Sequence, residues 1–532
     1  GPPAEVKSTE ELFLTGQHLE QYRHATYNPV NYYEEALRRE PSDARNNNAL
    51  GKWLLSKGQF AKSKAYFRAA IKTLTQRNPN PYDSEPYYNL GLCLSFLERD
   101  DEAYEAFFKA TWSNAWKDAG YFSVAMIEVK RGHYHKAREQ SEQELDRNRN
   151  NNKAYVIKAA AYRKLNYLDS ALQTANEALL RDRFNIGAMF EKALVYQINK
   201  QTEKAAKMIE ELLTLSRSDE RNLFEYALDY GAADLYTEAS QLLQYAVKEQ
   251  ATGHMVYYGL AWLSHKAGDE NQAKKWLKNA AEADPYLCFP NRLIEINILK
   301  SAIALNPADA KAPYYLGNLF YDKRQYNDAV SYWELSRDID GEFPTVHRNL
   351  GIAYFNKQND PEKALISFEK AFELDKTDAR VLMELDQLYK RLNYAPPERL
   401  KLLEENLPVT LQRDDTYLER LTLYNFIGRH KEALDLLQSR KFHPWEGGEG
   451  KVSAQYQLSL TELAKECIRL GQYEGAVEYL TATQSFPHNL GEGKLYGAQE
   501  NDTHYWLGCA YAGMVRPDTA NEFFIKATQG LS

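Results

Sequence analysis

Small and bulky apolar residues recur along this chain at a fixed interval of 34 residues. The first small position is filled by Gly91, Ala125, Ala159, Ala193, Ala227 and Ala261, and the second, twelve residues later, by Ala103, Ala137, Ala171, Ala205, Ala239 and Ala273. Bulky apolar residues around them follow a period of about 3.6, which predicts helices with one apolar stripe. Because small residues let two antiparallel helices touch, each step predicts a helix-turn-helix hairpin, and the period predicts stacked hairpins.

The same pattern continues outside the regular run with altered spacing. It is marked by Leu50-Gly51, Leu316-Gly317, Leu350-Gly351 and Leu507-Gly508, and weaker units centre on Leu385, Leu421 and Ala464. These motifs resemble tetratricopeptide repeats over nearly the whole chain, which implies an all-α, right-handed superhelical solenoid of about a dozen repeats. Before them, Tyr32 to Arg39 resembles the lone second helix of a partial first repeat.

Breaks in the spacing predict the domain organisation. The interval from Ala261 to Gly317 is 56 residues, which indicates an irregular seam containing one helix, from about Arg292 to Leu305. Gly1-Pro2 resembles the scar left by a tag-removal protease. The predicted segments are a disordered scar (1–8), an N-terminal repeat array (9–284), the seam (285–307) and a C-terminal array (308–532) with loop insertions at 441–451 and 485–501. Insertions in a solenoid collect on one edge, often the binding edge.

Composition limits the partners. The net charge of −8 and a pI near 5.9 provide no basic field for a phosphate backbone, so we expect no nucleic acid partner. No stretch approaches the roughly 18 apolar residues that cross a bilayer, so we expect no transmembrane segment. The N-terminus lacks the features of a secretory signal, which favours the cytoplasm but leaves localisation open. Four scattered cysteines without a CxxC pair indicate reduced, mostly buried thiols.

The two predicted insertions share a tetrapeptide, since Gly448 to Lys451 and Gly491 to Lys494 both read GEGK. A phosphate-binding P-loop is excluded because the earlier glycine and the Ser or Thr after the lysine are missing. Two alternatives remain. In the first, the glycines supply positive backbone angles while Glu and Lys cap helix ends or pair with each other. In the second, the two loops form a polar ligand or docking site.

The second alternative names candidate side chains. Trp445 would be a flat apolar platform, with hydrogen-bonding groups on Glu449, Lys451, Glu492, Lys494, Gln499 and Glu500. This mixture of an aromatic face and planar polar groups suits a sugar or the surface of another domain. A second set of aromatic candidates comprises His24, Tyr88, Trp112 and Trp116. These residues either wedge between repeats or line the concave surface.

Five long, irregular strings carry a more specific resemblance. They are LEQYRHAT (19–26), RNPNPYDSEPYYNLG (77–91), KATWSNAW (109–116), HPWEGGEGKVSAQY (443–456) and NLGEGKLYGAQEND (489–502). They resemble the C-terminal repeat region of large bacterial proteins whose N-terminal half is a galactose-mutarotase-like domain of unknown function. The resemblance implies a carbohydrate-related setting, and it implies no catalytic residue in this chain.

The sequence lacks the common motifs of catalytic, metal and cofactor sites, which limits the functional hypotheses. The sequence contains no HExxH, no zinc-spaced Cys/His cluster, no GxSxG and no dinucleotide fingerprint, so we expect no enzyme, metal or cofactor. The main hypothesis is a scaffold whose concave face and loop-bearing edge hold a protein partner or an upstream mutarotase-like domain. The alternative is a carbohydrate-binding or accessory half of a bacterial glycan-processing enzyme. A regulatory peptide binder is the third.

Overall fold

The computed structural model describes residues 1–22, 26–217, 220–249, 254–285, 288–494 and 499–529. Regular structure in these ranges is entirely helical, with 30 α-helices, short 3₁₀ turns at Pro3–Glu5 and His488–Leu490, and no strand. The predicted all-α solenoid is therefore confirmed. The chain divides into two compact units, unit 1 (Gly1–Ile339) and unit 2 (Asp340–Ser532), which are described separately.

Unit 1 contains nine described hairpins and one single helix. Its helices are α1 (Thr9–Tyr22), α2 (Pro29–Arg39), α3 (Ala44–Ser56), α4 (Phe60–Leu74), α5 (Glu85–Phe96), α6 (Asp100–Ala110), α7 (Lys117–Lys130), α8 (Tyr134–Arg147), α9 (Asn152–Lys164), α10 (Leu168–Arg181), α11 (Ile186–Ile198), α12 (Thr202–Ser216), α13 (Glu220–Ala232), α14 (Tyr236–Glu249), α15 (His254–Lys266), α16 (Glu270–Glu282), α17 (Leu293–Leu305), α18 (Lys311–Asp322) and α19 (Tyr326–Ile339). Consecutive helices pair from α1 to α16, and α18 pairs with α19.

Unit 2 contains five described hairpins. Its helices are α20 (Pro344–Asn356), α21 (Pro361–Leu374), α22 (Ala379–Arg391), α23 (Pro396–Glu405), α24 (Leu407–Thr410), α25 (Asp414–Phe426), α26 (His430–Gln438), α27 (Lys451–Arg469), α28 (Tyr473–Ala482), α29 (Asn501–Gly513) and α30 (Pro517–Thr528). The second hairpin is irregular, because α23 and the short α24 both pack against α22.

A glycine facing an aromatic ring explains why two helices of a hairpin touch. A Cβ atom added to Gly51 would lie 2.6 Å from the Phe67 ring, and one added to Gly508 would lie 2.6 Å from the Phe524 ring. The same relation holds at Gly16, where an added Cβ would lie 2.5 Å from the Tyr33 ring. The prediction of a partial first repeat is therefore wrong, since α1 and α2 form a complete hairpin.

The predicted seam contains its helix but does not separate the units. Helix α17 spans Leu293–Leu305, close to the predicted bounds, and its N-terminus is capped by Glu295, which accepts a hydrogen bond from the Arg292 amide at 2.9 Å. It packs against α15 and α18, so the stack continues across the predicted seam. The division between compact units lies instead after Ile339.

Residues 1–8 contact the first hairpin, which differs from the expected disorder. The Arg39 guanidinium donates to the carbonyl oxygens of Val6 and Ala4 at 2.6 and 3.2 Å. The Tyr32 hydroxyl donates to the Gly1 carbonyl oxygen at 2.9 Å. These bonds tie the segment to α2.

Unit 1 closes on itself through its hairpin turns. Gln59, in the turn between α3 and α4, donates to the Gln325 side chain at 3.0 Å, across 266 residues of sequence. Lys266 pairs with Glu98 at 2.6 Å, and Asn297 donates to the Phe96 carbonyl oxygen at 3.0 Å. Hairpins two and three therefore contact the elements from α15 to α19.

Candidate functional site

The two predicted insertions meet in unit 2. The Phe442 amide donates to the Asn489 carbonyl oxygen at 2.7 Å, and the Asn489 side chain donates to the carbonyl oxygens of Leu437 and Arg440 at 2.8 and 3.0 Å. Gly491 has φ 74°, and a Cβ there would lie 2.6 Å from the Phe442 carbonyl oxygen. A side chain here would collide with the Phe442 carbonyl oxygen, so glycine is required where the two loops approach each other.

Glu492, from the second GEGK loop, caps the helix that follows the first. Its carboxylate accepts hydrogen bonds from the amides of Gly450 and Ser453, both at 2.8 Å. These amides lie at the N-terminus of α27, where unpaired N–H groups favour an anion. Lys494 pairs with Glu500 at 2.5 Å. For these residues the geometry is that of the first alternative, in which Glu and Lys cap or pair.

The remaining loop surface forms an open depression of about 420 Å³, here called the loop cleft. It is lined by His443, Pro444, Trp445, Glu446, Gly448, Glu449, Val452, Leu490, Gly491 and Glu492. The Trp445 side chain is half-buried, and its ring lies so close to Gly448 that an added Cβ would be 2.2 Å away. Val452 and Leu490 are buried and form the floor. The cleft therefore has an apolar base and an indole wall.

The charged groups of the cleft lining are acidic. They comprise Glu446, Glu449 and Glu492, with no lysine or arginine among the described lining residues. Glu446 and Glu449 are exposed, and among the described residues neither has an ion-pair partner within 4.0 Å. The exposed imidazole of His443 lies 3.7 Å from Asp414.

Asp414 anchors the start of the first insertion through hydrogen bonds. It accepts hydrogen bonds from the Arg440 guanidinium at 2.6 Å and from the His443 amide at 2.9 Å. Asp414 is the first residue of α25, and its side chain is mostly covered by these contacts. The Arg440 guanidinium also lies 4.6 Å from the Tyr417 ring centroid, which fixes the base of the first insertion.

The structure brings together only part of the predicted set. Trp445, Glu449 and Glu492 share the cleft, whereas Lys451 and Gln499 are exposed and lie outside its described lining. Sequence reasoning missed other lining residues, namely His443, Pro444, Glu446, Val452 and Leu490. All five are within two residues of a named candidate or a GEGK motif, so the insertion itself was the available signal.

The aromatic candidates of unit 1 are mostly packing residues. Tyr88 stacks on Trp116 with ring centroids 5.0 Å apart, and it also contacts Phe107 at 5.6 Å. Burial raises the pKa of Tyr88. Trp112 stays 47% exposed, and His24 lies outside the described residues. Tyr88 and Trp116 thus pack on each other.

One cavity of unit 1 is very small. Helices α7, α9 and α13 converge on a cavity of about 10 Å³, which holds at most one water molecule. Its wall includes an ion pair between Lys153 and Asp229 at 3.0 Å. A ligand of the size of a peptide or a sugar does not fit there.

The described ranges contain neither a metal-binding cluster nor a membrane-spanning helix. Among those residues, no three His, Cys, Asp or Glu side chains are arranged to hold a metal ion. Nor does any helix described there combine the length and apolar character needed to span a membrane. All four cysteines are free thiols, with Cys93 and Cys288 buried and Cys467 and Cys509 half-buried.

Comparisons with known proteins identify two repeats. The family model for the tetratricopeptide repeat matches residues 256–286 and 348–378, which correspond to the hairpins α15–α16 and α20–α21. The chain thus carries tetratricopeptide repeats in both units.

Several solved structures are similar to this chain. One is the structure of Naa15/Naa10 bound to HypK-THB, with 13% identity, 98% of this chain and 82% of that chain covered, and a TM-score of 0.28. The APC/C hetero-tetramer Cut9-Hcn1 has 12% identity, coverages of 98% and 92%, and a TM-score of 0.24. YrrB, a TPR protein with an unusual peptide-binding site, has 17% identity, coverages of 46% and 95%, and a TM-score of 0.17. At these scores the likenesses carry no functional argument.

Proposed function

We propose that this chain is a non-catalytic scaffold that binds a protein partner through the loop cleft of unit 2. The observation that carries the proposal is the joining of two insertions, from successive hairpins, into one open cleft on the edge of the array. Solenoid proteins use such extended edges and surfaces for recognition.

Two surfaces were expected to hold the partner, the concave face and the loop-bearing edge. In unit 1, the described pockets have about 10 Å³, between α7, α9 and α13, and about 280 Å³, between α4, α5 and α6. The loop cleft offers about 420 Å³, which is within the usual range for ligand sites. The loop-bearing edge is therefore the better candidate. The partner implied by the sequence resemblance is a mutarotase-like domain of the same parent chain.

A second candidate function is the binding of a carbohydrate as the accessory half of a glycan-processing enzyme. It is favoured by the indole of Trp445 beside the exposed carboxylates of Glu446 and Glu449, since sugars stack on aromatic rings and hydrogen-bond to planar polar groups.

Binding of the full chain to a peptide array and to a glycan array separates the two functions. The matched variant is Trp445→Ala, which removes the wall of the cleft. The scaffold proposal predicts that the wild type retains a set of peptides and that Trp445→Ala loses them. Glycan binding that is lost in Trp445→Ala, with no Trp445-dependent peptide, would replace the scaffold by the carbohydrate function. Unchanged helical circular dichroism shows that the variant is folded.

A further inference from the structure

The charges that line the loop cleft limit the kinds of ligand that it can bind. Of its three carboxylates, that of Glu492 is already satisfied by the amides of Gly450 and Ser453 at the N-terminus of α27. Those of Glu446 and Glu449 are exposed and without an ion-pair partner in the described part of the chain. Two negative charges without an ion-pair partner therefore share the lining of the cleft with the half-buried Trp445 ring.

This combination favours a cation over a neutral ligand. The face of an indole carries a negative electrostatic potential and attracts ammonium and guanidinium groups, and nearby carboxylates add to that attraction. A neutral sugar would gain hydrogen bonds to Glu446 and Glu449 but no ion-pair attraction. An anionic ligand would be repelled by both.

The cleft is also built to receive a ligand without rearrangement. The hydrogen bond from Phe442 to Asn489, the glycine requirement at Gly491 and the Glu492 cap fix both loops. Such preorganisation reduces the entropic cost of binding. The volume of about 420 Å³ is large enough for a long side chain together with part of its backbone.

We propose that the loop cleft binds a lysine or arginine side chain of a basic partner segment, with the cation over Trp445 and between Glu446 and Glu449. This proposal rests on the scaffold function and names the chemistry of its partner. Neutral and acidic peptides, and neutral sugars, are the competing outcomes.

The direct test is the fluorescence anisotropy of a fluorescein-labelled hexalysine peptide titrated with the full chain. We expect saturable binding that weakens when the salt concentration is raised from about 50 to about 300 mM, because screening reduces the attraction. The double variant Glu446→Gln/Glu449→Gln, and separately Trp445→Ala, should each bind roughly five- to thirtyfold more weakly. Both glutamates are exposed, so the double variant should fold normally.

The matched control is Glu362→Gln/Glu398→Gln, which removes the same charge from exposed positions of unit 2 outside the cleft. It should bind hexalysine within about twofold of the wild type, since distant surface charges are screened. The proposal is overturned if the two double variants bind equally, if hexaglutamate binds as well as hexalysine, or if hexalysine does not bind. After any of those results, the scaffold function still stands if some array peptides bind the wild type but not Trp445→Ala. If no array peptide depends on Trp445, the scaffold function and the cation proposal are both overturned.

Discussion

At the scale of single residues, one position sets the backbone direction in every hairpin turn that the structure describes in full. The residue there has positive φ, and the position is held by Gly58, Glu98, Gly132, Asn166, Lys200, Asp234, Gly268, Arg324, Asn359, Asn393, Gly428, Gly471 and Val515. Glycine and asparagine adopt this conformation at low cost, whereas a β-branched residue is strained. Val515 is the one β-branched member of that described set, with φ 60°.

We expect Val515→Asn to raise the free energy of unfolding by about 1 kcal/mol, because asparagine tolerates the left-handed conformation. Val515 is 85% exposed, so little packing is lost. Urea unfolding followed by circular dichroism measures the change. The reverse substitution at the preceding turn, Gly471→Val, is the control and should destabilise the protein. A stability loss in Val515→Asn would show that the turn carries no strain.

The glycine facing an aromatic ring makes a second prediction for unit 2. Gly508→Ala should destabilise by about 1–3 kcal/mol, since its Cβ would press into the Phe524 ring at 2.6 Å. Gly475, in α28, is a helical glycine whose added Cβ would lie 3.6 Å from the Cys467 sulfur. Gly475→Ala should therefore be neutral or stabilising. Equal effects of the two substitutions in urea unfolding would contradict the role given to the small position.

A buried carboxyl in α8 makes stability depend on pH. The Glu144 side chain is buried, with Oε1 accepting from Asn151 at 2.8 Å and Oε2 without a hydrogen-bond partner. Burial raises its pKa above the ordinary value of 4.5. The folded state thus holds this proton more tightly than the unfolded state, so the contribution of Glu144 to stability falls as pH rises from 4.5 through the raised pKa.

Glu144→Gln removes this titration. We expect the thermal midpoint of the variant, relative to the wild type, to increase as pH rises from about 4.5 to about 8, and then to level off. The comparison is made by calorimetry in buffers of equal ionic strength. A difference that stays constant over this range would mean that Glu144 does not titrate differently in the folded state.

At the scale of elements, a buried ion network joins three helices of unit 2. Arg399 of α23 donates to Asp386 of α22 at 3.0 and 2.8 Å, and to Glu419 of α25 at 2.8 Å. Burial raises the pKa of Asp386, although the Arg399 guanidinium acts to lower it. Each of these charged side chains is therefore stabilised by an oppositely charged neighbour.

Removing one partner should cost more than removing two. Arg399→Met leaves the buried carboxylate of Asp386 uncompensated, so we expect a loss of about 3–5 kcal/mol. Adding Asp386→Asn should recover most of that loss, because no buried charge is then left without a partner. Unfolding by urea of the two single variants and the double variant provides the measurement. Additive effects of the substitutions would show that Arg399 and Asp386 do not act as a pair.

The hairpins were predictable from sequence because their rules are local. The positive-φ turns recur at the 34-residue interval read from the alanines, and the helix predicted near Arg292 to Leu305 is α17. The first helix, α1, was missed because Gly16 follows Thr15 and not the leucine that marks other repeats. The irregular interval before Gly317 does not interrupt the stack, because α17 packs against α15 and α18.

The candidate site was predictable only in its location. The shared GEGK motif placed the two insertions together, and Trp445, Glu449 and Glu492 do share a cleft. Whether each charged side chain is available to a ligand depends on contacts that the sequence does not show. Glu492 caps α27 and Lys494 pairs with Glu500, so neither is available to a ligand in this geometry.

At the largest scale, the closure of unit 1 is the property that its repeats alone do not suggest. Lys266 and Glu98 are 168 residues apart in sequence and pair at 2.6 Å, with both side chains partly exposed. Surface pairs of this kind contribute little energy, so the closure must depend mainly on neighbouring contacts. One of them is Ile296, whose side chain lies against Gly58.

Carbodiimide cross-linking tests this closure. The reagent joins a carboxylate and an amine already in contact, so we expect an amide between Glu98 and Lys266 in the peptides identified by mass spectrometry. The pair Lys278 and Glu282, within α16 at 3.9 Å, is the control because it forms whether or not unit 1 is closed. Recovery of the control link alone would contradict closure.

The central prediction is that a partner binds at the loop cleft of unit 2. Hydrogen–deuterium exchange of the full chain, with and without hexalysine, measures it directly. The account predicts slower exchange of backbone amides confined to residues 442–453 and 488–492 when the peptide is bound. Protection on the helices of unit 1, or no protection at either insertion, would contradict it.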